Sequence, residues 1–188
     1  MIEIRDAVLD DADGLATAHI DGWRGAYRGL VADEYLDAEA FATTRRDRWR
    51  AWTWQSDLGS RLFVATIHER VVGFGHAGPE VSGWGATETA ATETTTARGE
   101  IYAFYLHPSA WGSGAAGALM SRCEEFLRDE GFAAAILWAP RDYPRARAFY
   151  EKAGWHFTGE ETMFSPWMPP ESSLPRVEYA IREYEVRL

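Results

Sequence analysis

The chain predicts a mixed α/β fold, and three observations carry that expectation. Short apolar, β-rich runs at 62–66, 71–78, 101–106 and 133–138 have the length and composition of strands. Between and before them lie stretches whose apolar residues recur every three or four positions, the period of a helix. The length of 188 residues, 46% of them hydrophobic, suffices to bury a core without cross-links, so a single domain over 1–188 is expected.

In chain order, Ile2 and Ile4 alternate with polar residues as an opening strand, and Asp10 with Asp13 offers a cap for the helix that follows. Leu15, Ala18, Ile20, Trp23 and Tyr27 keep helical spacing up to Gly29, and a second helix is expected over 39–54, carrying Phe41, Trp49 and Trp52. The runs at 62–66 and 71–78, separated by a short polar segment, predict a hairpin. Residues 80–99 hold almost no large apolar side chain except Trp84 and predict a flexible loop or ragged hairpin extension.

The strand at 101–106 leads through Pro108 and a glycine cluster into a helix marked by Ala115, Leu119, Cys123, Phe126 and Leu127, ending near Gly131. A buried strand at 133–138 follows, then a short helix opened by Pro144 and stopped by Gly154. Strand resumes from Trp155. In the tail, Val177, Tyr179 and Ile181 alternate, as do Tyr184, Val186 and Leu188, but out of phase by one residue. A bulge near Arg182 and Glu183 would keep both sets facing one core.

The net charge of −10 opposes capture of nucleic acid or an anionic membrane and favours a cationic substrate. One cysteine, Cys123, permits no internal disulfide, and neither a signal peptide nor an apolar run of membrane-spanning length is present, which points to the cytoplasm. The five histidines are scattered and predict no metal site.

Gly112, Gly114 and Gly117 read as G-x-G-x-x-G between a strand and a helix, an arrangement that turns backbone N–H groups and a positive helix end toward an anion. A dinucleotide fold wants its first glycine directly after the strand and an acidic residue at the end of the next strand. Here 107–111 intervene, and the next strand ends in Trp138, Ala139 and Pro140.

The segment G-E-I-Y-A-F-Y-L-H-P-S-A-W-G-S-G-A-A-G-A-L-M, residues 99–120, resembles the acetyl-CoA motif of the GNAT superfamily of N-acetyltransferases, in which a strand leads through Q/R-x-x-G-x-G/A into a helix. About 32 residues beyond the turn, Y-P-R-A-R-A-F-Y-E-K-A-G-W, residues 143–155, resembles the second motif of that family, N-x-x-A-x-x-F-Y-x-x-x-G-F. Trp111 stands where the family has Gln or Arg, and Tyr143 where it has Asn.

The resemblance implies a central, twisted, mostly antiparallel sheet of about seven strands flanked by helices on both faces. It implies acetyl transfer from acetyl-CoA to the amine of a small molecule or peptide by direct attack, without an acyl-enzyme on Cys123. The donor would lie between the strands at 101–106 and 133–138, against Phe104, Tyr105 and Leu106 and the turn formed by Trp111, Gly112, Ser113, Gly114, Ala115, Ala116 and Gly117, with Tyr143 and Phe149 beside it.

Tyr150 matches the tyrosine that protonates the departing thiolate in many members, and Glu100 the glutamate that deprotonates the amine. His107 and His76 are weaker candidates for the base. Trp23 and Tyr27 are expected to line the acceptor pocket, Trp49 to pack in the core, and Asp21, Asp33 and Glu34 are candidate contacts for a cationic amine. Ala103 and Ala135 would leave room for a longer acyl chain. A non-catalytic acyl-CoA-binding module is the alternative, raised by Tyr143, and the aromatic tail is a candidate surface for a homodimer.

Overall fold

The computed structural model describes residues 1–52, 59–81, 94–166, 174 and 176–188, with 94–97 described by backbone alone. Seven strands form one sheet: β1 (Ile2–Asp6), β2 (Arg61–Ile67), β3 (Arg70–Val81), β4 (Thr94–Leu106), β5 (Ala134–Pro140), β6 (His156–Phe164) and β7 (Tyr179–Arg187). They lie in the order β1-β2-β3-β4-β5-β7-β6, and every pairing is antiparallel except β4 with β5. The mostly antiparallel seven-stranded sheet is therefore as expected.

Helices cover both faces. On one side α1 (Ala12–Tyr27), α2 (Asp33–Asp37) and α3 (Glu39–Ala51) enclose a core of Leu15, Trp23, Phe41, Val64 and Phe74. On the other, α4 (Ala115–Asp129) and α5 (Pro144–Lys152) bury Leu119, Cys123, Leu127, Tyr150 and Trp155. The indole N–H of Trp155 donates to Glu124 Oε1 at 2.8 Å, which satisfies the one polar atom that this ring carries into the core.

Several local expectations change. Neither Asp10 nor Asp13 caps α1; Asp11 precedes it, and its carboxylate takes both Arg5 (2.7 and 2.8 Å) and the Val8 N–H (2.8 Å), tying β1 to the helix start. The helix expected over 39–54 is α3, which ends at Ala51, while Trp54 lies outside the described residues; the short α2 before it has no counterpart among the expected elements. At the edges of 80–99 the hairpin extension holds rather than the loop, because β3 runs on to Val81 and pairs with β4, which begins at Thr94, across a register shift after Pro79. Positions 82–93, including Trp84, lie outside the described residues.

The irregularity at Arg182 and Glu183 lies on the β6 side, where the register passes from Phe157↔Tyr184 to Glu161↔Arg182 and leaves 158–160 facing Glu183. The β5–β7 register runs unbroken from Ala134↔Arg187 to Pro140↔Ile181. The phase slip has another cause: Tyr179 and Ile181 pack into the α1–α3 core, whereas Tyr184, Val186 and Leu188 pack into the α4–α5 core. With both faces of the strand covered, both phases can be apolar.

Candidate functional site

β4 and β5 start as partners and then part. Their parallel register holds only at Gly99↔Ala135, Glu100↔Ile136 and Ile101↔Leu137, although β4 continues to Leu106 and β5 to Pro140. On the other edge of β4, His76 pairs with Ala103 and Ala77 with Ile101, so Tyr102 is an extra residue bulged out of the ladder. A bulge bends its strand and sharpens the twist. It falls one residue after the last contact with β5, which is where β4 swings away. The Tyr102 hydroxyl, donating to Pro79 O, anchors the bend.

The parting opens a cleft of about 310 Å³ through the sheet. One of its walls belongs to the α4–α5 side, with Phe104, Trp111, Gly112, Ala116, Phe149 and Tyr150, and the other to the α1 side, with Gly22, Ala26, Tyr27, Tyr105 and Trp138. Beyond Ile101 the cleft-side backbone of β4 has no partner strand. Phe104 and Phe149 stack across the α5 side at 5.8 Å between ring centroids.

Two glycines let α1 lean against this end of the sheet. A Cβ on Gly22 would lie 3.0 Å from Leu106 O, and one on Gly25 would lie 2.8 Å from Trp111 Cη2. Gly25 is thus an ordinary helical residue needed for close approach, and the chain turns only at Gly29, whose φ is +85°.

The glycine turn is built by left-handed residues, Gly112 at φ +79° and Gly114 at φ +96°, the latter preceding α4. Three of its N–H groups are used internally: Trp111 donates to Pro108 O, Ser113 N to Ala110 O, and Ala115 N to Ser113 Oγ. Those of Ala116 and Gly117, in the first turn of α4, make no hydrogen bond to a described residue and point out of the helix end. A Cβ on Gly112 or Gly117 would meet nothing within 4 Å, so the protein itself leaves this approach open.

Of the expected donor-side residues, Phe104, Tyr105, Leu106, Trp111, Gly112, Ala116, Tyr143, Phe149 and Tyr150 line the cleft. Ser113, Gly114, Ala115 and Gly117 belong to the turn and the start of α4, outside the cleft lining. On the acceptor side Tyr27 lines it, while Trp23 lies one layer deeper, stacked on Tyr27 at 4.2 Å. Ala103 lines the cleft, but Ala135 is fully buried in the paired part of β5.

Tyr150 is 7% exposed, and burial, with the phenols of Tyr105, Tyr184 and Tyr143, holds its hydroxyl above the ordinary tyrosine range. It stays protonated at neutral pH. Glu100 is fully buried at the closed end of the gap, outside the cleft lining, with its Oε2 accepting the Val81 N–H at 2.9 Å. His76 binds Ser60 Oγ at 2.9 Å, and burial lowers its pKa to about 4. His107 is tied to Ser109 and Asp21. Asp21 and Asp33 are in ion pairs with Arg24 and Arg28, and neither they nor Glu34 line the cleft.

The charge inference from composition does not carry to this site: among the described residues the one charged side chain in the lining is Arg145. Its guanidinium lies 4.5 Å from the Trp111 ring centroid, beside the glycine turn. Sequence reasoning missed it, together with Gly22, Ala26, Tyr102 and Trp138. Arg145 had a signal, its place in the first turn of the helix that Pro144 opens. Pro144 opens α5 at its first position, where the N–H that proline lacks would have no partner within the helix.

Among the described residues no group of acidic, His or Cys side chains is arranged to hold a metal ion, and no helix is long and apolar enough to cross a membrane.

The family model "Acetyltransferase (GNAT) family" matches residues 23–155. YuaI, an uncharacterized N-acetyltransferase of Bacillus subtilis (strain 168), is 29% identical over 145 residues, covering 77% of this chain and 75% of that protein. PaiA N-acetyltransferase from Thermoplasma acidophilum, solved in complex with coenzyme A, superposes with a TM-score of 0.72 at 17% identity, over 100% of this chain and 99% of that one. A GCN5-related N-acetyltransferase from Kribbella flavida gives a TM-score of 0.65 at 18% identity, over 100% and 98%. At such identities the likeness is one of fold.

Proposed function

We propose that this chain, which belongs to the acetyltransferase (GNAT) family, moves an acetyl group from acetyl-CoA to an amine by direct attack. The observation that carries the reading is the cleft itself. It runs through the sheet where β4 leaves β5, with the glycine turn on one face and Tyr150 inside.

The residues present suit such a donor. The free N–H groups of Ala116 and Gly117 and the positive end of α4 bind phosphate oxygens, and Arg145 adds a full charge beside them. This arginine takes over from the cation that Trp111 displaces, and the Trp111 ring holds it in place. The unpaired edge of β4 at Phe104, Tyr105 and Leu106 offers strand-like hydrogen bonds to the extended pantetheine arm and an N–H to polarise the acetyl carbonyl.

Tyr150, held neutral, gives its proton to the sulfur as the thiolate leaves. Cys123 takes no part, because burial pushes its thiol up to about 12 and it faces the core. Glu100, set back from the cleft, acts as base only through an intervening relay such as water.

Purified protein given acetyl-CoA and a panel of amines should release free thiol. Tyr150→Phe should lower kcat by roughly 10²-fold while binding of CoA by calorimetry is retained. Glu100→Gln tests the base through the acidic limb of the pH–rate profile. Tight CoA binding without thiol release from any acceptor would assign the chain instead to the non-catalytic acyl-CoA-binding class.

A further inference from the structure

Behind the acceptor wall of the cleft the chain buries a cation among aromatic rings and phenols. The Arg45 guanidinium lies 3.6 Å from the Phe41 ring centroid and 4.6 Å from that of Trp23. Its Nη1 donates to Phe41 O at 3.2 Å, while its Nε is buried with no partner. No carboxylate among the described residues forms an ion pair with it; the groups facing it are the phenols of Tyr35, Tyr105 and Tyr179. Trp23 is only 3% exposed, and the Tyr105 phenol lies within reach of its indole N–H.

This cluster touches the cleft. Tyr27 stacks on Trp23, the Tyr105 ring lies 6.5 Å from it, and both tyrosines line the opening. A cation removed from water is costly unless it is paired, and ring faces compensate only part of that cost. The protein carries a net charge of −10, yet the charges at and behind this cleft, Arg145 and Arg45, are both positive. With Arg145 taken up by the donor, an acceptor that was simply a cation would still face Arg45 and, among the described lining residues, no carboxylate.

We propose that the acceptor amine carries a carboxylate, as an amino acid does. The hydroxyls of Tyr27 and Tyr105 donate to that group, and Arg45, held behind them by Phe41 and Trp23, supplies the opposite charge. Arg45 is thus a positioning residue for specificity. The idea rests on the acetyl-transfer reading for its chemistry, but recognition of the carboxylate can be measured as binding.

The test compares amino acids with their amides and their decarboxylated amines. With acetyl-CoA, kcat/KM for the carboxylate-bearing member of each set should exceed the other two at least tenfold. Arg45→Met should erase that preference chiefly through KM, and Arg45→Lys should restore part of it. Tyr27→Phe, which keeps the ring stack, should weaken it severalfold and guards against a folding defect in the arginine variant. In parallel, calorimetric titration of the same compounds into the CoA-loaded protein should show binding of the amino acid alone.

Equal or better use of the amides and decarboxylated amines overturns the proposal, as does an Arg45→Met variant that keeps the preference. Should no acceptor release thiol, the acetyl-transfer reading fails. The calorimetric preference then still decides the carboxylate site.

Discussion

At the scale of single residues, the pair Trp111 and Arg145 shows how one function can move between positions. The family pattern puts a polar or cationic side chain before the first glycine, and here that place holds an indole packed against Gly25 and Pro108. The guanidinium comes instead from the first turn of α5, held over the ring at 4.5 Å. If it meets the phosphates, Arg145→Ala should raise KM for acetyl-CoA about tenfold, a loss of about 1.4 kcal/mol. KM for acetyl-pantetheine, which lacks the nucleotide phosphates, should not move. A similar loss on both donors would place Arg145 elsewhere in the mechanism.

At the scale of elements, the decisive feature is the bulge at Tyr102. It bends β4 off β5, while the far end of the same strand is clamped by Arg98, which binds Glu80 at 2.7 Å and reaches across β5 to Glu185 at 3.1 Å on β7. One end of the parallel pair is closed and the other free to gape. Opposite the bulge sits His76, whose pKa burial lowers to about 4, against about 6.5 in an unfolded chain.

Between those values the unfolded state binds more protons, so stability should fall as pH is lowered from about 6.5 to 4. The contribution of His76 is on the order of 2 kcal/mol, roughly 5 °C in Tm. His19, depressed by burial and by Arg45 and Arg48, adds to the same decline. His76→Asn should therefore flatten only part of it in melts compared at pH 7 and 4.5. A variant that loses stability as steeply as the parent would assign the decline elsewhere.

At the scale of the whole molecule, a sheet covered on both faces is pierced by a gap lined from both of them, and under the proposed reaction donor and acceptor would approach from opposite sides and meet between the strands. A ligand filling that gap replaces strand pairing that β4 and β5 do not make with each other. Saturation with CoA at about 100 times its Kd should add about 2.7 kcal/mol, a rise in Tm of roughly 5–10 °C for a chain of this size. An unchanged melting curve at that concentration would count against binding in the gap.

Much of this was legible in the order of residues, because periodicity and turn chemistry are local. The strand at 101–106, the glycine turn, the helix after it and the Pro144 helix all appear near their expected places, and most positions named for the donor, from Phe104 to Tyr150, line the cleft. Local pattern could not show that Tyr102 is bulged, that Glu100 is set back against Val81, or that the tail serves two cores. Those outcomes depend on pairing between strands distant in the chain and on which helix covers which face. The same holds for Arg45, an ordinary helical arginine by sequence, which becomes a buried cation behind a cleft, with no carboxylate partner among the described residues, only when α3 packs over α1.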